Sequence, residues 1–201
     1  MKVLVACEYT GLVRDAFIRK GHDAISCDFF KSEREGPHYQ GNVFNIINNG
    51  FDLMIAHPPC TYLSNAGFHL SLKDSLRMER SKKAFKFFMD LYNSDIEKIA
   101  IENPVGIVST WFQKPDQIIN PYNFGNMERK RTCLWLKNLP LLKINNTEMP
   151  TAYNSIIRKS GRDKGKIYNY YWHDKTRSGH ERSRTFQCIA DAFAEQWGNI
   201  K

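Results

Sequence analysis

The sequence predicts an α/β fold: a mostly parallel sheet with helices packed on both faces. Three observations carry that expectation. Four apolar runs of strand length, at residues 2–6, 23–28, 52–56 and 98–102, show little of the polar alternation that a half-exposed strand would need. The first and third are followed by apolar residues at helical spacing. The runs also end abruptly in acidic, Gly-containing or Pro-containing turns, as strands do when they feed crossover connections.

Taken in order, residues 2–6 read as a buried strand. A turn through Glu8 and Gly11 follows, then Leu12, Ala16 and Phe17 at helical spacing, and Gly21 suits the helix C-terminus. Residues 23–28 form a second strand closing on Asp28, which completes a βαβ unit. Residues 31–40, polar and containing Gly36 and Pro37, read as a loop. The third strand, 52–56, runs into His57, Pro58, Pro59 and Cys60. Asp74 and Ser75 cap a long helix reaching about residue 94, with Ala84, Phe85, Phe88, Leu91 and Tyr92 on its apolar face. A fourth strand, 98–102, ends at Glu102 before Asn103, Pro104 and Gly106. Further strands at 117–120 and 132–136 flank a polar loop, so this half of the sheet is expected to be partly antiparallel. Phe186, Ile189, Ala190, Phe193, Ala194 and Trp197 mark a last helix, stopped at Gly198.

The 201 residues are 42% hydrophobic and 25% charged, which excludes a disordered or collagenous chain, and no stretch approaches the ~18 apolar residues of a membrane span. The first apolar run stops at Glu8, short of a secretory h-region, so the chain is expected to stay in the cytoplasm where it is made. Five widely spaced cysteines without a CxxC pair predict neither a disulfide framework nor a zinc site. Nine Lys/Arg against three acidic residues place +6 of the net +8 charge within 158–184, interleaved with Tyr168, Tyr170, Tyr171 and Trp172. Basic and aromatic residues mixed in this way suit a nucleic-acid surface, although a solvated loop has the same composition.

Ligands of open α/β sheets bind beyond the carboxyl ends of the strands. That edge holds Glu8 to Gly11, Asp28, Cys60 and Glu102. A thiol and a carboxylate there form a reactive pair if their strands are neighbours, and two prolines before Cys60 fix its backbone direction. Taken singly, Cys60 reads more often as a buried thiol than as a nucleophile, Glu102 as a solvated strand-end carboxylate and Asp28 as a helix cap.

In order and over most of its length the chain resembles the DNA cytosine-5 methyltransferases, in particular their short phage-type members. Residues 6–16 are similar to the family's first S-adenosylmethionine motif, His57 to Cys60 to its Pro-Cys loop, Ile101 to Pro104 to its Glu-Asn motif, and Arg129 to Arg131 to its paired arginines. The resemblance implies a Rossmann-like S-adenosylmethionine-dependent methyltransferase fold as a single domain over 1–201. It implies Cys60 as the nucleophile attacking C6 of cytosine, Glu102 on the ring N3 and amine, Arg131 on O2 and Arg129 in support. It further implies S-adenosylmethionine held by Cys7, Glu8, Tyr9, Thr10, Gly11, Asp28, Phe29, Asn42, Val43 and Pro59. The chain departs from the family at Tyr9, Asn42, Thr61 and Met127, and in lacking a full target-recognition domain. Residues 142–182 stand in its place as a reduced basic and aromatic insertion, with Arg158, Lys159, Arg162, Lys164, Lys166, Lys175, Arg177 and Arg182 as nucleic-acid contacts. The implied partner is DNA, as a duplex with a flipped cytosine or as a single strand, and a partner protein is a candidate source of target recognition. Alternatives are a methyltransferase of nucleotides or RNA, and a non-catalytic nucleic-acid- or cofactor-binding protein that modulates host defence.

Overall fold

The computed structural model describes residues 1–152, 154–170 and 184–200. In chain order they form β1 (Lys2–Ala6), α1 (Leu12–Arg19), β2 (Asp23–Asp28), β3 (His38–Gln40), β4 (Leu53–Ala56), α2 (Asn65–Ser71) and α3 (Ser75–Tyr92). There follow β5 (Lys98–Pro104), α4 (Val108–Trp111), β6 (Gln117–Ile119), β7 (Thr132–Lys137), β8 (Asn154–Ile157), β9 (Ile167–Tyr170) and α5 (Gln187–Trp197). The main sheet has seven strands in the order β3-β2-β1-β4-β5-β7-β6. Strands β1 to β5 pair in parallel, and β7 runs antiparallel to both neighbours. The order 3-2-1-4-5 is that of a Rossmann-like sheet, reversing direction between β1 and β4, and β7 is inserted before β6.

Alternation along the strands divides the core into two layers. Val3, Val5, Leu53, Ile55 and Leu134 pack with Val13 and Phe17 of α1 and with Ile189, Phe193 and Trp197 of α5. Leu4, Ala6, Met54, Ile99, Ile101 and Trp135 face the other way, onto Phe88 and Leu91 of α3. Helices therefore cover both faces, as expected, and continuous apolar strands follow from burial on both sides. The antiparallel turn at β7 has a local cause. The residues between β6 and β7, 120–131, hold a 3₁₀ turn, Pro121–Phe124, that ends at Gly125 with φ +90°, and no α-helix to cross the sheet, so β7 returns beside β6 as its antiparallel partner.

Three boundaries differ from the sequence expectation. Residues 38–40, expected as loop, are the edge strand β3, paired with Ser26 to Asp28. Its exposure to solvent leaves it no apolar pattern to detect. Strand β5 extends through Asn103 to Pro104, whose partners are Cys133 and Thr132. Past Ile101 it has lost β4, and an edge position tolerates proline. Leu142, placed at the start of the basic insertion, is instead buried in the core, its N–H and C=O both bonded to the side chain of Gln117.

Arg14 ties the first crossover together. Its side chain is fully buried, pairs with Asp15 at 2.7 Å, and donates to Ser26 and Ser32 hydroxyls and to the carbonyls of Arg34, Glu35 and Pro37. One guanidinium thus satisfies the loop that carries β3 back to the sheet. Gly11, at φ +74°, is needed beside it, because a Cβ there would meet Arg14 Nη2 at 2.5 Å. Replacing Arg14 by Met leaves those carbonyls without donors. Arg14→Met should cost about 3 kcal/mol and lower the melting temperature by roughly 6–12 °C in thermal denaturation.

Candidate active site

The register of β4 against β5, Ala56 opposite Ile101, brings the residues just past β4 beside the last residues of β5. His57 Nδ1 lies 3.2 Å from Glu102 Oε2. Next along, Asn103 Nδ2 donates to the Pro58 carbonyl at 2.8 Å. The Cys60 carbonyl accepts the N–H groups of Leu63 and Ser64, turning the chain, and Ile107 N–H closes on the Leu63 carbonyl at 2.8 Å. Gly106 makes that closure possible, since a Cβ there would sit 2.0 Å from the Leu63 oxygen. The Cys60 loop is therefore clamped to the end of β5 on both sides of the cysteine.

Electrostatics set the resting state of this pair. Burial pushes the half-buried Cys60 thiol above its ordinary value, the Glu102 charge adds to that, and Lys130 opposes both. Burial also disfavours the charged form of Glu102. The hydrogen bond from His57, the charges of Lys130 and His57, and the Thr132 hydroxyl outweigh it, and the carboxyl titrates below its usual range. At neutral pH the site thus holds a thiol beside a carboxylate, not the thiolate that a helix N-terminus or a close arginine would produce.

Glu102, Lys130 and Thr132 line a small recess completed by Thr185, Phe186 and Ile189 from the start of α5. Lys130 lies over the Phe186 ring at 5.9 Å and donates to the Arg184 carbonyl. Of the two arginines expected here, Arg131 is exposed and Arg129 is half-buried, while the lysine between them faces the carboxylate. His57, Asn103 and Lys130 were not singled out from sequence. Each adjoins a motif residue that was, and their contacts depend on strand pairing.

The β1 and β2 ends form a second part of the edge. Cys7 adopts φ +59°, uncommon for a non-glycine residue, and burial drives its thiol far above the ordinary range. Glu8 is committed internally: its carboxylate accepts the N–H groups of Val13 and Arg14 and the Thr10 hydroxyl, capping α1. Asp28 accepts the Phe30 N–H at 3.0 Å through Oδ1 alone. Phe29 and Phe30 are 71% and 64% exposed beside it, and Tyr9 meets Phe30 edge to face. An acidic strand end with exposed aromatic rings is a donor set suited to an adenosine. Asn42 caps the turn Val43–Asn45 through the Phe44 N–H, and Val43 is buried in the core. Pro59, exposed, precedes Cys60.

Arg158, Lys159, Arg162, Lys164 and Lys166 lie on or beside the β8–β9 hairpin, all exposed. Arg158 covers the Tyr168 ring at 5.1 Å, and Asp163 takes Lys166 and the Tyr168 hydroxyl. Lys175, Arg177 and Arg182 lie outside the described residues. Among the described residues there is no metal-ligating cluster, and no helix is long and apolar enough to cross a membrane.

No family model and no curated protein matches the chain. Among solved structures, one described as a DNA modification methyltransferase encoded within a prophage (E. coli) is similar at a TM-score of 0.45 and 15% identity, over 78% of this chain and 56% of that one. The Entamoeba histolytica methyltransferase EhMeth is similar at a TM-score of 0.48 and 16% identity, over 75% of this chain and 56% of its own. The chain thus spans 56% of the length of each.

The charge coupling has a measurable consequence. Alkylation of Cys60 by iodoacetamide, followed by peptide mass spectrometry, should be slow at neutral pH and accelerate as pH rises. Glu102→Gln removes the neighbouring charge, lowers the thiol's titration, and should speed neutral-pH alkylation roughly three- to tenfold.

Proposed function

We propose that this chain is an S-adenosylmethionine-dependent methyltransferase acting on C5 of cytosine in DNA. One observation carries the reading: a cysteine loop and a Glu-Asn turn, clamped together by Asn103 and Ile107 at the ends of adjacent parallel strands. Asp28, Phe29 and the turn from Cys7 to Gly11 would hold the adenosine end of S-adenosylmethionine. When bound, that group supplies an electrophilic methyl on a sulfonium.

The residues of the chain divide the rest of the work. Cys60 passes its proton to solvent and its sulfur adds to C6 of the ring, the electrons of the C5–C6 double bond moving to C5 and turning it into a carbon nucleophile. The Glu102 carboxylate accepts the exocyclic amine through the oxygen that His57 leaves free. Lys130, with Arg131 at the rim, balances negative charge on the base as sulfur adds. Once C5 carries the methyl, solvent takes the C5 proton, the electrons of that C–H bond re-form the C5–C6 double bond, and the Cys60 sulfur leaves C6 as thiolate. The recess lies at the surface of one domain, so the base must leave its stack to enter it. The exposed cations of the β8–β9 hairpin are the candidate phosphate contacts.

Transfer of labelled methyl from S-adenosylmethionine to duplex DNA, single-stranded DNA, RNA and deoxycytidine nucleotides tests the reading, with product bases identified by mass spectrometry. The expected product is 5-methylcytosine in DNA. Cys60→Ser should abolish it while leaving the melting temperature nearly unchanged, and a fully active variant would overturn the mechanism. Label in RNA or nucleotide alone would move the substrate class. Reversing Lys159, Arg162 and Lys164 to Glu should weaken DNA binding and flatten the log-log salt slope by roughly 2–3 units in titrations across salt. An unchanged slope would remove the hairpin from the interface.

A further inference from the structure

His57 is the first residue beyond β4, and its backbone N–H donates to the Ala6 carbonyl of β1 at 2.9 Å. The main chain of two strands therefore fixes where its ring sits. The ring is largely buried, 11% exposed against 15% for Glu102, and its Nδ1 reaches Glu102 Oε2. Its Nε2 is buried without a partner among the described residues. An imidazole set in this way engages one carboxylate oxygen, Oε2, of a residue that lines the recess and whose carboxylate the Thr132 hydroxyl also supports. The surrounding charged and polar groups come from two elements: Cys60 past β4, and Lys130, Thr132 and Cys133 on β7 and its approach, where the Cys133 thiol also feels Arg131 and Glu102.

We propose that His57 is a positioning residue that holds Glu102 as an aimed hydrogen-bond acceptor, and so makes the site select pyrimidines with an amino group at C4 over those with a carbonyl. This rests on the methyl-transfer reading given above. The selectivity follows from donor and acceptor counting. An ionised carboxylate has only acceptors, so it pairs with the amine of cytosine and opposes the carbonyl of uracil. A protonated carboxyl has an O–H and accommodates either base. Mismatching a buried polar group in this way gives large discrimination, whereas shape alone gives little. His57 supplies a hydrogen bond and a nearby charge, both of which favour the ionised form. Removing the ring raises the pH at which Glu102 takes up a proton, and the selective state is lost from the acid side upward.

The test compares wild type, His57→Ala and His57→Asn, the last because its amide can still donate to Oε2 without titrating. kcat/KM is measured for methyl transfer to matched oligonucleotides carrying deoxycytidine or deoxyuridine, across about pH 5 to 9. His57→Ala should lower the cytosine-to-uracil ratio at the acid end of that range, at least about tenfold there, and move the acid limb of the cytosine profile up by about one pH unit. His57→Asn should restore most of both. A His57→Ala variant that slows both substrates equally, with the acid limb unmoved, would overturn the proposal. A second readout is independent of turnover: carboxyl ¹³C NMR of glutamate-labelled protein, with Glu102 assigned by the signal missing in Glu102→Gln. Its midpoint should rise in His57→Ala, and an unmoved midpoint also overturns the role of His57. If wild type transfers methyl to neither oligonucleotide, the methyl-transfer reading fails, while the NMR titration still decides whether His57 controls Glu102.

Discussion

The pairing of β4 with β5 is the constraint on which the rest of the site depends. Both strands are buried on both faces, and their side chains alternate between two helix layers. Met54 and Ile99 face α3, while Leu53 and Ala100 face α1 and α5. Sliding one strand by a residue, about 3.3 Å, would exchange the layers for every side chain on it. Hydrophobic burial therefore fixes Ala56 opposite Ile101, and with it the approach of His57 to Glu102 and of Pro58 to Asn103. The chemistry at the edge is positioned by the core beneath it.

The same burial shapes the charges. Glu102 and Cys60 are both partly withdrawn from water and feel one another's charge, and an unpaired negative charge is costly there. One group is supplied with donors and holds its charge, and the other, facing that charge, holds its proton. A resting thiol beside a fixed carboxylate is a weak nucleophile toward adventitious electrophiles and oxidants. Lys130 favours the charged form of each group, helping Glu102 keep its charge and opposing the rise of the Cys60 thiol, and it links the recess to Phe186 and Arg184. The start of α5 therefore closes the recess, so an element that looks purely structural in its apolar spacing also borders the candidate active site.

Around this frame the molecule uses polar groups in two different ways. At the β1 and β2 end, Glu8 and Arg14 are spent on the fold, the first satisfying the start of α1 and the second the loop before β3. The β8–β9 hairpin is outside the core. Ile157 and Ile167 are exposed on it, and a two-stranded hairpin has little stability of its own. Its cohesion comes from local contacts such as Arg158 on Tyr168 and Asp163 with Lys166. A basic, weakly packed projection on a rigid sheet is a reasonable place for contacts that need charge more than accurate placement.

Much of this was legible in the sequence itself. Unbroken apolar runs at 2–6, 52–56 and 98–102, the cap at Asp74 and the spacing from Phe186 to Trp197 determine strands and helices, because local periodicity is enough to bury a face. Cys60 and Glu102 stand out because the apolar runs before them end, although β5 itself continues to Pro104. What the sequence could not determine was decided by tertiary structure. β3 is three residues, none of them buried, whose approach loop is held by an arginine more than twenty positions before the strand. Lys130, not Arg131, faces Glu102, because the approach to β7 decides which side chain points inward. The contact between His57 and Glu102 spans 45 residues and exists only through strand register. Periodicity is a local property of the chain, whereas a hydrogen bond between two strand ends belongs to the packing of the whole sheet.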